Sequence, residues 1–308
     1  MKSIDVISKR TGSPKRRQAL SRTAYVVVIV FSLLTAIPLL SILIDLVVKG
    51  WSHFNIDLFT QSTPFGILNG IIGTFVMLLI ATVLSIPLGL FTGIFLSEKQ
   101  DAKLANVVRT LTDILQGVPS IVWGIVVYML VVKTMHTYSA VAGGVALGFM
   151  MIPMIIRSTE EGLRMVPETL KEAGLALGGS YTKVMFTVVV PSAFGSIFTG
   201  ILLAISRVMG ETAPLMVTAL GATYVHFDLT RPMSAISLLI WEFYSNPILA
   251  DLVWSSSLLL LLLILGMNLL AKSVAAKITN FNIKLQRKRR LFWLFVKATT
   301  MLTVRIIL

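Results

Sequence analysis

Long apolar runs dominate this chain and leave few folds open to it. The sequence has 308 residues, 56% of them hydrophobic, and a mean hydropathy of +0.86. A helix needs about 20 apolar residues to cross a bilayer, and several runs reach that length. Because lipid offers the backbone no hydrogen-bond partners, such runs are expected to be helices. The sequence therefore predicts an all-α, polytopic membrane protein.

Six spans can be placed along these runs. The predicted transmembrane helices are Ala24–Val48, Ile67–Leu96, Leu111–Val132, Ser139–Ile156, Val184–Ser206 and Ala250–Ala271. They form one domain over residues 23–285. A basic tail (1–22) precedes it, and a tail of unknown role (286–308), basic at first and then apolar, follows it. Residues 207–249 are too apolar for an aqueous loop but are broken by prolines and glycines. We expect a periplasmic or partly re-entrant segment there, with an interfacial helix near Ser234–Tyr244.

Basic residues fix the predicted orientation. If the N-terminus is cytoplasmic, 23 of the 27 Lys and Arg residues fall on the cytoplasmic side, as the positive-inside rule requires. The C-terminus and the loop 158–183 are then cytoplasmic too. The net charge of +13 thus reflects membrane topology, and we expect no nucleic acid partner. The first run is too long for a signal peptide and is interpreted as a retained span.

Several kinds of chemistry lack the residues they need. Cysteine is absent and the three histidines are scattered, so neither disulfides nor a metal cluster is expected. The chain has no phosphate-binding G-x-x-x-x-G-K-[ST] loop and therefore does not bind ATP in that way. A membrane enzyme or a sensor is the alternative class of function, but no motif supports either.

A polar island interrupts the apolar runs between the fourth and fifth predicted spans. It covers residues 167–180 and reads Pro-Glu-Thr-Leu-Lys-Glu-Ala-Gly-Leu-Ala-Leu-Gly-Gly-Ser. Pro167 suits a first helical turn, Glu168 complements its positive end, and Gly178 ends the helix. A small apolar face recurs at helical spacing, formed by Leu170, Ala173, Gly174 and Leu177. The pattern predicts a short helical elbow outside the bilayer on which a soluble partner docks.

Ionisable residues beside the spans are candidates for a substrate path, because unpaired charge is costly in lipid. A guanidinium matches tetrahedral oxyanions, so we interpret Arg157 and Arg207 as successive stations for an anion. Glu211, with Thr212 beside it, can accept the proton that hydrogen phosphate retains and would disfavour sulfate. Structural roles for these residues are equally open. Arg157 can be a positive-inside anchor, and Arg207 can form a structural ion pair with Glu211.

Three segments resemble the permeases of ABC importers. Glu172-Ala173-Gly174, followed by Gly178 and Pro191, resembles their cytoplasmic "EAA" loop, with Gly174 as a departure from the usual alanine. Gly-Val-Pro-Ser-Ile-Val-Trp-Gly at 117–124 and Arg-Val-Met-Gly-Glu-Thr-Ala-Pro-Leu at 207–215 resemble phosphate-specific importers. The Gly-Glu-Thr-Ala-Pro-Leu form looks like the PstA-type permease family and not the PstC-type. The resemblance covers about residues 20–285.

The resemblance implies an ABC-importer type I permease fold in the bacterial inner membrane, with the elbow as a cytoplasmic coupling helix. The implied partners are a PstC-type second permease, a dimer of ATP-binding subunits that hold ATP and Mg²⁺, and a periplasmic phosphate-binding protein. This chain is then a non-catalytic subunit with no cofactor of its own. Its ATPase contacts are Leu170, Glu172, Ala173, Gly174, Leu177 and Gly178. The alternative is a permease for molybdate, sulfate or phosphonate. Such permeases share the elbow but are not expected to contain Gly-Glu-Thr-Ala-Pro-Leu.

Overall fold

Helices account for the architecture of residues 14–276, which are the residues that the computed structural model describes. In chain order they are α1 (Pro14–Ser52), α2 (Ile56–Thr60), α3 (Leu68–Glu98), α4 (Lys103–Gly117), α5 (Ser120–Met135), α6 (Ala140–Arg164), α7 (Glu168–Ala176), α8 (Tyr181–Val208), α9 (Ala213–Met216), α10 (Ile236–Tyr244) and α11 (Pro247–Ala276). A π-helical turn lies within α5 and another within α8. The all-α prediction is therefore confirmed over this range, which contains no strand.

The helices α1, α3, α6, α8 and α11 are each long and apolar enough to cross a membrane. A bent pair, α4 with α5, brings the possible number of spans to six. Helix α1 begins at Pro14, inside the predicted N-terminal tail. The first thirteen residues of that tail, the end of the predicted domain (277–285) and the predicted C-terminal tail (286–308) lie outside the described residues.

The third predicted span, Leu111–Val132, is wrong as a single helix. Helices α4 and α5 meet at an angle of 104°. Pro119 has no backbone N–H, and a residue before proline avoids the helical region. Val118 accordingly adopts an extended conformation (φ −69°, ψ 129°). The predicted span is therefore broken between Gly117 and Ser120. Its first turns belong to α4, whose apolar residues Leu104, Val107, Leu111 and Ile114 are exposed.

Helices α3 and α6 form the centre of the bundle. Their contact depends on glycine: a Cβ atom on Gly89 would lie 2.6 Å from Ile155, and one on Gly93 would lie 2.6 Å from Thr159. Small residues let helix backbones approach closely where lipid supplies no hydrophobic driving force. Helix α8 packs on another side of α6, where a Cβ on Gly162 would lie 3.0 Å from Ser196. Neither interface has room for an added side chain.

The segment between α8 and α10 folds back into the bundle, as expected for irregular apolar backbone. Pro214 of α9 packs against Gly124 of α5, and Thr218 and Ala219 are fully buried. The predicted helix near Ser234–Tyr244 is present as α10. Its interfacial character is only partial, because Leu239 is buried against Gly70 of α3. One face of α10 is therefore part of the core.

The bundle has two distinct ends. At one end, here called the elbow end, Glu98 at the end of α3 bonds to α7 and to the start of α8, and Arg164 at the end of α6 lines the same cavity. At the other, the loop end, the Asn69 side chain donates a hydrogen bond to the Ala222 carbonyl (2.7 Å) and Ser139 N–H bonds to Thr218 (3.1 Å). The predicted topology assigned these two sets of residues to opposite sides of the membrane.

Candidate functional site

The elbow, residues 167–180, is a helix, a turn and the start of a second helix. Pro167 is the residue before the first turn of α7, one position earlier than the sequence predicted, and Glu168 opens the helix. Gly178 adopts a left-handed conformation (φ +82°), which glycine tolerates without steric cost. Helix α8 follows, with Ser180 at its N-cap. The chain thus joins two spans, α6 and α8, through a helix with no buried residue.

The predicted coupling residues do not share one face. Leu170, Glu172, Ala173, Leu177 and Gly178 are exposed, and Leu177 is the most exposed at 89%. Gly174 instead faces its own chain, since a Cβ there would lie 2.8 Å from Cγ1 of Val184. The small size of Gly174 therefore serves the packing of α7 on α8. The exposed members leave a surface open to a partner.

Arg157 is held by two carboxylates. Its Nε donates to Oε1 of Glu161 on the next turn of α6 (2.8 Å), and its Nη1 lies 3.4 Å from Oδ1 of Asp113 on α4. All three side chains are about half exposed. An arginine whose charge is already balanced attracts a further anion less strongly than a free one. This arrangement links α4 to α6 and supports the structural interpretation of Arg157.

Arg207 has a different environment. Its guanidinium Nη1 lies 3.5 Å from the sulfur of Met154 on α6, three residues before Arg157. Within residues 14–276 Arg207 forms no ion pair, so its charge is unbalanced. We call Met154, Arg157, Glu161 and Arg207 the arginine face. The two guanidiniums therefore lie along one strip, with Arg207 nearer the loop end.

Glu211 is not the ion-pair partner of Arg207. Helix α8 ends at Val208, so the chain leaves the helical path before the i+4 position is reached. The backbone carbonyl of Glu211 accepts a hydrogen bond from the Ser237 hydroxyl (2.8 Å), and the Thr212 hydroxyl lies 3.5 Å from the Ser237 carbonyl. These bonds fix the turn against α10, and Glu211 as a residue is half-buried.

Sequence reasoning missed a buried charge at the elbow end. The Glu160 side chain is 2% exposed, and its Oε1 lies 2.8 Å from Nη2 of Arg109 on α4 and 2.7 Å from Nη2 of Arg164. Arg109 also reaches Asn106 and the Leu96 carbonyl. The i, i+4 spacing of Glu160 and Arg164 was a usable signal. The burial also depends on Arg109 of α4, in a segment (103–110) that lay outside the predicted spans.

Comparisons with known proteins agree with this geometry. Residues 85–280 match the family described as "Binding-protein-dependent transport system inner membrane component". The chain is 37% identical over 292 residues to the "Phosphate transport system permease protein PstA" of Yersinia pestis, covering 90% of this chain and 99% of that protein. It is 38% identical to the protein of that name from Xylella fastidiosa strain 9a5c, covering 84% and 94%.

Solved structures show the same fold at low sequence identity. The inward-facing MetNI methionine ABC transporter matches with a TM-score of 0.58 at 19% identity, covering 68% of this chain and 95% of that chain. A bacterial alginate ABC transporter bound to its pentasaccharide-loaded periplasmic protein matches with a TM-score of 0.61 at 14% identity, covering 86% and 96%. The predicted ABC-importer permease fold is thereby confirmed.

Proposed function

We propose that this chain, which belongs to the family of binding-protein-dependent transport system inner membrane components, is the permease subunit of an ATP-driven phosphate importer. The observation that carries the proposal is the 37% identity that extends over 99% of a protein named as a phosphate transport permease. Relatives with the same name match at 34–38% identity over most of the chain.

The elbow is where we expect the ATP-binding subunits to dock and drive transport. Helix α7 connects two spans and presents Glu172, Ala173 and Leu177 to solvent. A short helix with small and apolar exposed side chains suits docking in a groove of a partner. We assign the partner as a cytoplasmic ATP-binding subunit dimer, which holds ATP and Mg²⁺, while this chain is non-catalytic. Its N- and C-termini then lie in the cytoplasm of the bacterium.

The arginine face is where we expect the transported phosphate to bind. Arg207 offers an unbalanced guanidinium, which can bind two phosphate oxygens at once, and Arg157 lies further along the same strip. Glu211 and Thr212 follow Arg207 closely in the sequence. A carboxylate there would repel a fully ionised anion and accept a hydrogen bond from the hydroxyl of hydrogen phosphate. This chain would form half of the path, the other half coming from a PstC-type permease, and a periplasmic phosphate-binding protein would deliver the ion.

Transport by the complete complex tests the proposal. Vesicles that contain both permeases and the ATP-binding subunits, supplied with the binding protein, should take up labelled phosphate when ATP is present on the ATPase side. Omitting ATP gives the control. Unlabelled sulfate, molybdate and phosphonate are added in parallel as competitors. No ATP-dependent uptake of labelled phosphate, with uptake of one of the other ions when that ion carries the label, would identify the protein as a permease for another oxyanion and overturn the proposal.

A further inference from the structure

One carboxylate at the elbow end joins three helices. Glu98 is the last residue of α3, and its Oε2 accepts hydrogen bonds from the Lys171 ammonium of α7 and the Tyr181 hydroxyl of α8. The Lys171 Nζ also lies 4.9 Å from the centre of the Tyr181 ring, within range of a cation–π interaction. The elbow is thus attached to a span that is not its neighbour in sequence.

This attachment differs in kind from the other contacts of α7. Through Gly174 and Gly179, the elbow packs on Val184 of α8, which the chain continues into directly. Without the bond to Glu98, α7 would remain joined to α6 and α8, which it connects in sequence. Of the described α7 side chains, Lys171 is the one that forms an ion pair with α3.

From Glu98 the contact continues to the arginine face. Helix α3 meets α6 at Gly89–Ile155 and Gly93–Thr159, where an added Cβ would lie 2.6 Å from its neighbour. Two helices in such close contact shift together, because packed interfaces deform little. Ile155 and Thr159 flank Arg157 on α6. A displacement of Lys171 therefore has a continuous route through α3 to the face that carries the two arginines.

The pair is protected but reachable by water. The side chains of Lys171 and Glu98 are 29% and 16% exposed, and a cavity of about 450 Å³ lies beside them. Partial burial acts to lower the pKa of Lys171, but the hydrogen bond to Glu98 and the charge of that carboxylate outweigh it and raise the pKa above its ordinary value. Lys171 is therefore charged at neutral pH.

We propose that Glu98 is a positioning residue for energy coupling, which fastens the elbow to α3 so that a stroke received by α7 moves α3 and α6 together. The proposal rests on the transport function proposed above. It assigns a role to a residue outside the three segments that carry the family resemblance. It also predicts that the ion pair affects coupling more than assembly, because the Glu98 side chain is only 16% exposed and offers little surface to a partner.

The first test measures phosphate imported per ATP hydrolysed by the complete complex in vesicles. Glu98→Gln and Lys171→Met should each lower this ratio about two- to fivefold, the range expected for a partly exposed ion pair, while ATP hydrolysis continues. Lys99→Gln is the matched control, because Lys99 lines the same cavity and forms no ion pair within residues 14–276. Unchanged ratios in both variants, with normal amounts of complex in the membrane, would overturn the proposal.

A second readout does not depend on which ion is carried. The chain has no cysteine, so spin labels can be placed on this subunit at Phe91→Cys in α3 and Ala176→Cys in α7, both exposed positions. With Glu98 present, the distance between the labels should stay constant when ATP is added. With Glu98→Gln it should change or broaden. A distance that behaves identically in both proteins refutes the coupling role, whereas failure of phosphate uptake by the unmodified complex refutes only the proposed substrate.

Discussion

Glu160 and Arg109 form an ion pair at the elbow end, with 2.8 Å between Oε1 and Nη2 and only 2% of the carboxylate side chain exposed. Arg164 approaches the same oxygen at 2.7 Å. Two guanidiniums therefore compensate one buried carboxylate, and the three residues hold α4 against α6. The bend between α4 and α5 is fixed at its far end by this cluster.

Removing the buried carboxylate should destabilise the protein. Glu160→Gln leaves Arg109 and Arg164 without their counter-charge, and we expect a loss of about 1–3 kcal/mol, since both arginines retain some access to water. Thermal unfolding of the purified protein in detergent measures the loss. Asp113→Asn is the control: Asp113 also pairs with an arginine but is 56% exposed, so its loss should cost about 0–1 kcal/mol. Equal costs for both variants would contradict the buried role of Glu160.

The two arginines of the arginine face should differ in transport. Arg207→Ala removes the unbalanced guanidinium and should lower phosphate uptake about tenfold or more, the effect of losing one charge-assisted hydrogen bond. Arg157→Ala should lower phosphate uptake less, because the Arg157 guanidinium already forms ion pairs with two carboxylates. Uptake at a fixed amount of complex is the measurement, with Lys133→Ala as the control, because Lys133 is exposed and is not part of the arginine face. A larger loss at Arg157 would reverse the assignment.

Glu211 should set the preference for a protonated anion. Glu211→Gln keeps the backbone bond to Ser237 but removes the negative charge, so sulfate should be rejected less strongly while phosphate loses an acceptor for its proton. The ratio of phosphate to sulfate uptake, measured in the same vesicles, should fall. Loss of both ions in equal proportion would instead indicate that Glu211 has only a structural role.

Substitutions on the two sides of the elbow should separate packing from docking. Gly174→Val places its side chain against Val184 and should lower the unfolding temperature. Leu177→Glu puts a charge on a side chain that is 89% exposed, so it should leave the unfolding temperature unchanged but reduce recovery of the ATP-binding subunit on co-purification. Undiminished recovery with Leu177→Glu would remove this residue from the docking surface.

The loop near Asp228 should have a defined dependence on pH. The Thr230 hydroxyl and backbone N–H, which donate to the Asp228 carboxylate, together with the charge of Arg231, hold the pKa of Asp228 below its ordinary value. The ionised form therefore favours the folded loop. This contribution is complete above the ordinary pKa and is lost as the pH falls through the lowered one.

Hydrogen exchange of residues 226–233, corrected for intrinsic rates, is the measurement for that loop. Protection should be constant between about pH 7 and 5 and should decline below about pH 4. The Asp228→Asn variant should show weaker protection at neutral pH, and its protection should decline much less at low pH. His226 is present in both proteins and therefore cannot cause a difference between them. If the variant and the unmodified protein decline in parallel, the carboxylate is not responsible.

Local sequence patterns predicted the parts of this fold that depend on local chemistry. The elbow follows from a proline, an acidic residue and a glycine at fixed positions, and Gly178 indeed has the left-handed conformation that its position required. The helix at α10 also lies where it was expected. In each case neighbouring residues are enough to define where the element begins and ends.

The parts that sequence missed depend on contacts between distant segments. The orientation of Gly174 is decided by Val184 across a turn, and the burial of Glu160 is decided by Arg109 on a helix 51 residues away. Helical spacing placed Arg207 and Glu211 on one face, but α8 ends between them. Periodicity cannot report where a helix stops or which neighbour its face meets, so the partners of the predicted site residues had to come from the structure.

The close contact between α3 and α6 has a genetic consequence. Glycine is encoded by four codons that share their first two bases, and every single-base change that replaces it adds at least a Cβ atom or ends the chain. At Gly89 and Gly93 that atom would lie 2.6 Å from a neighbour, so no conservative missense change exists there. In a library of random point mutants, survivors selected for growth on scarce phosphate should keep glycine at both positions, with only synonymous third-base changes in these codons.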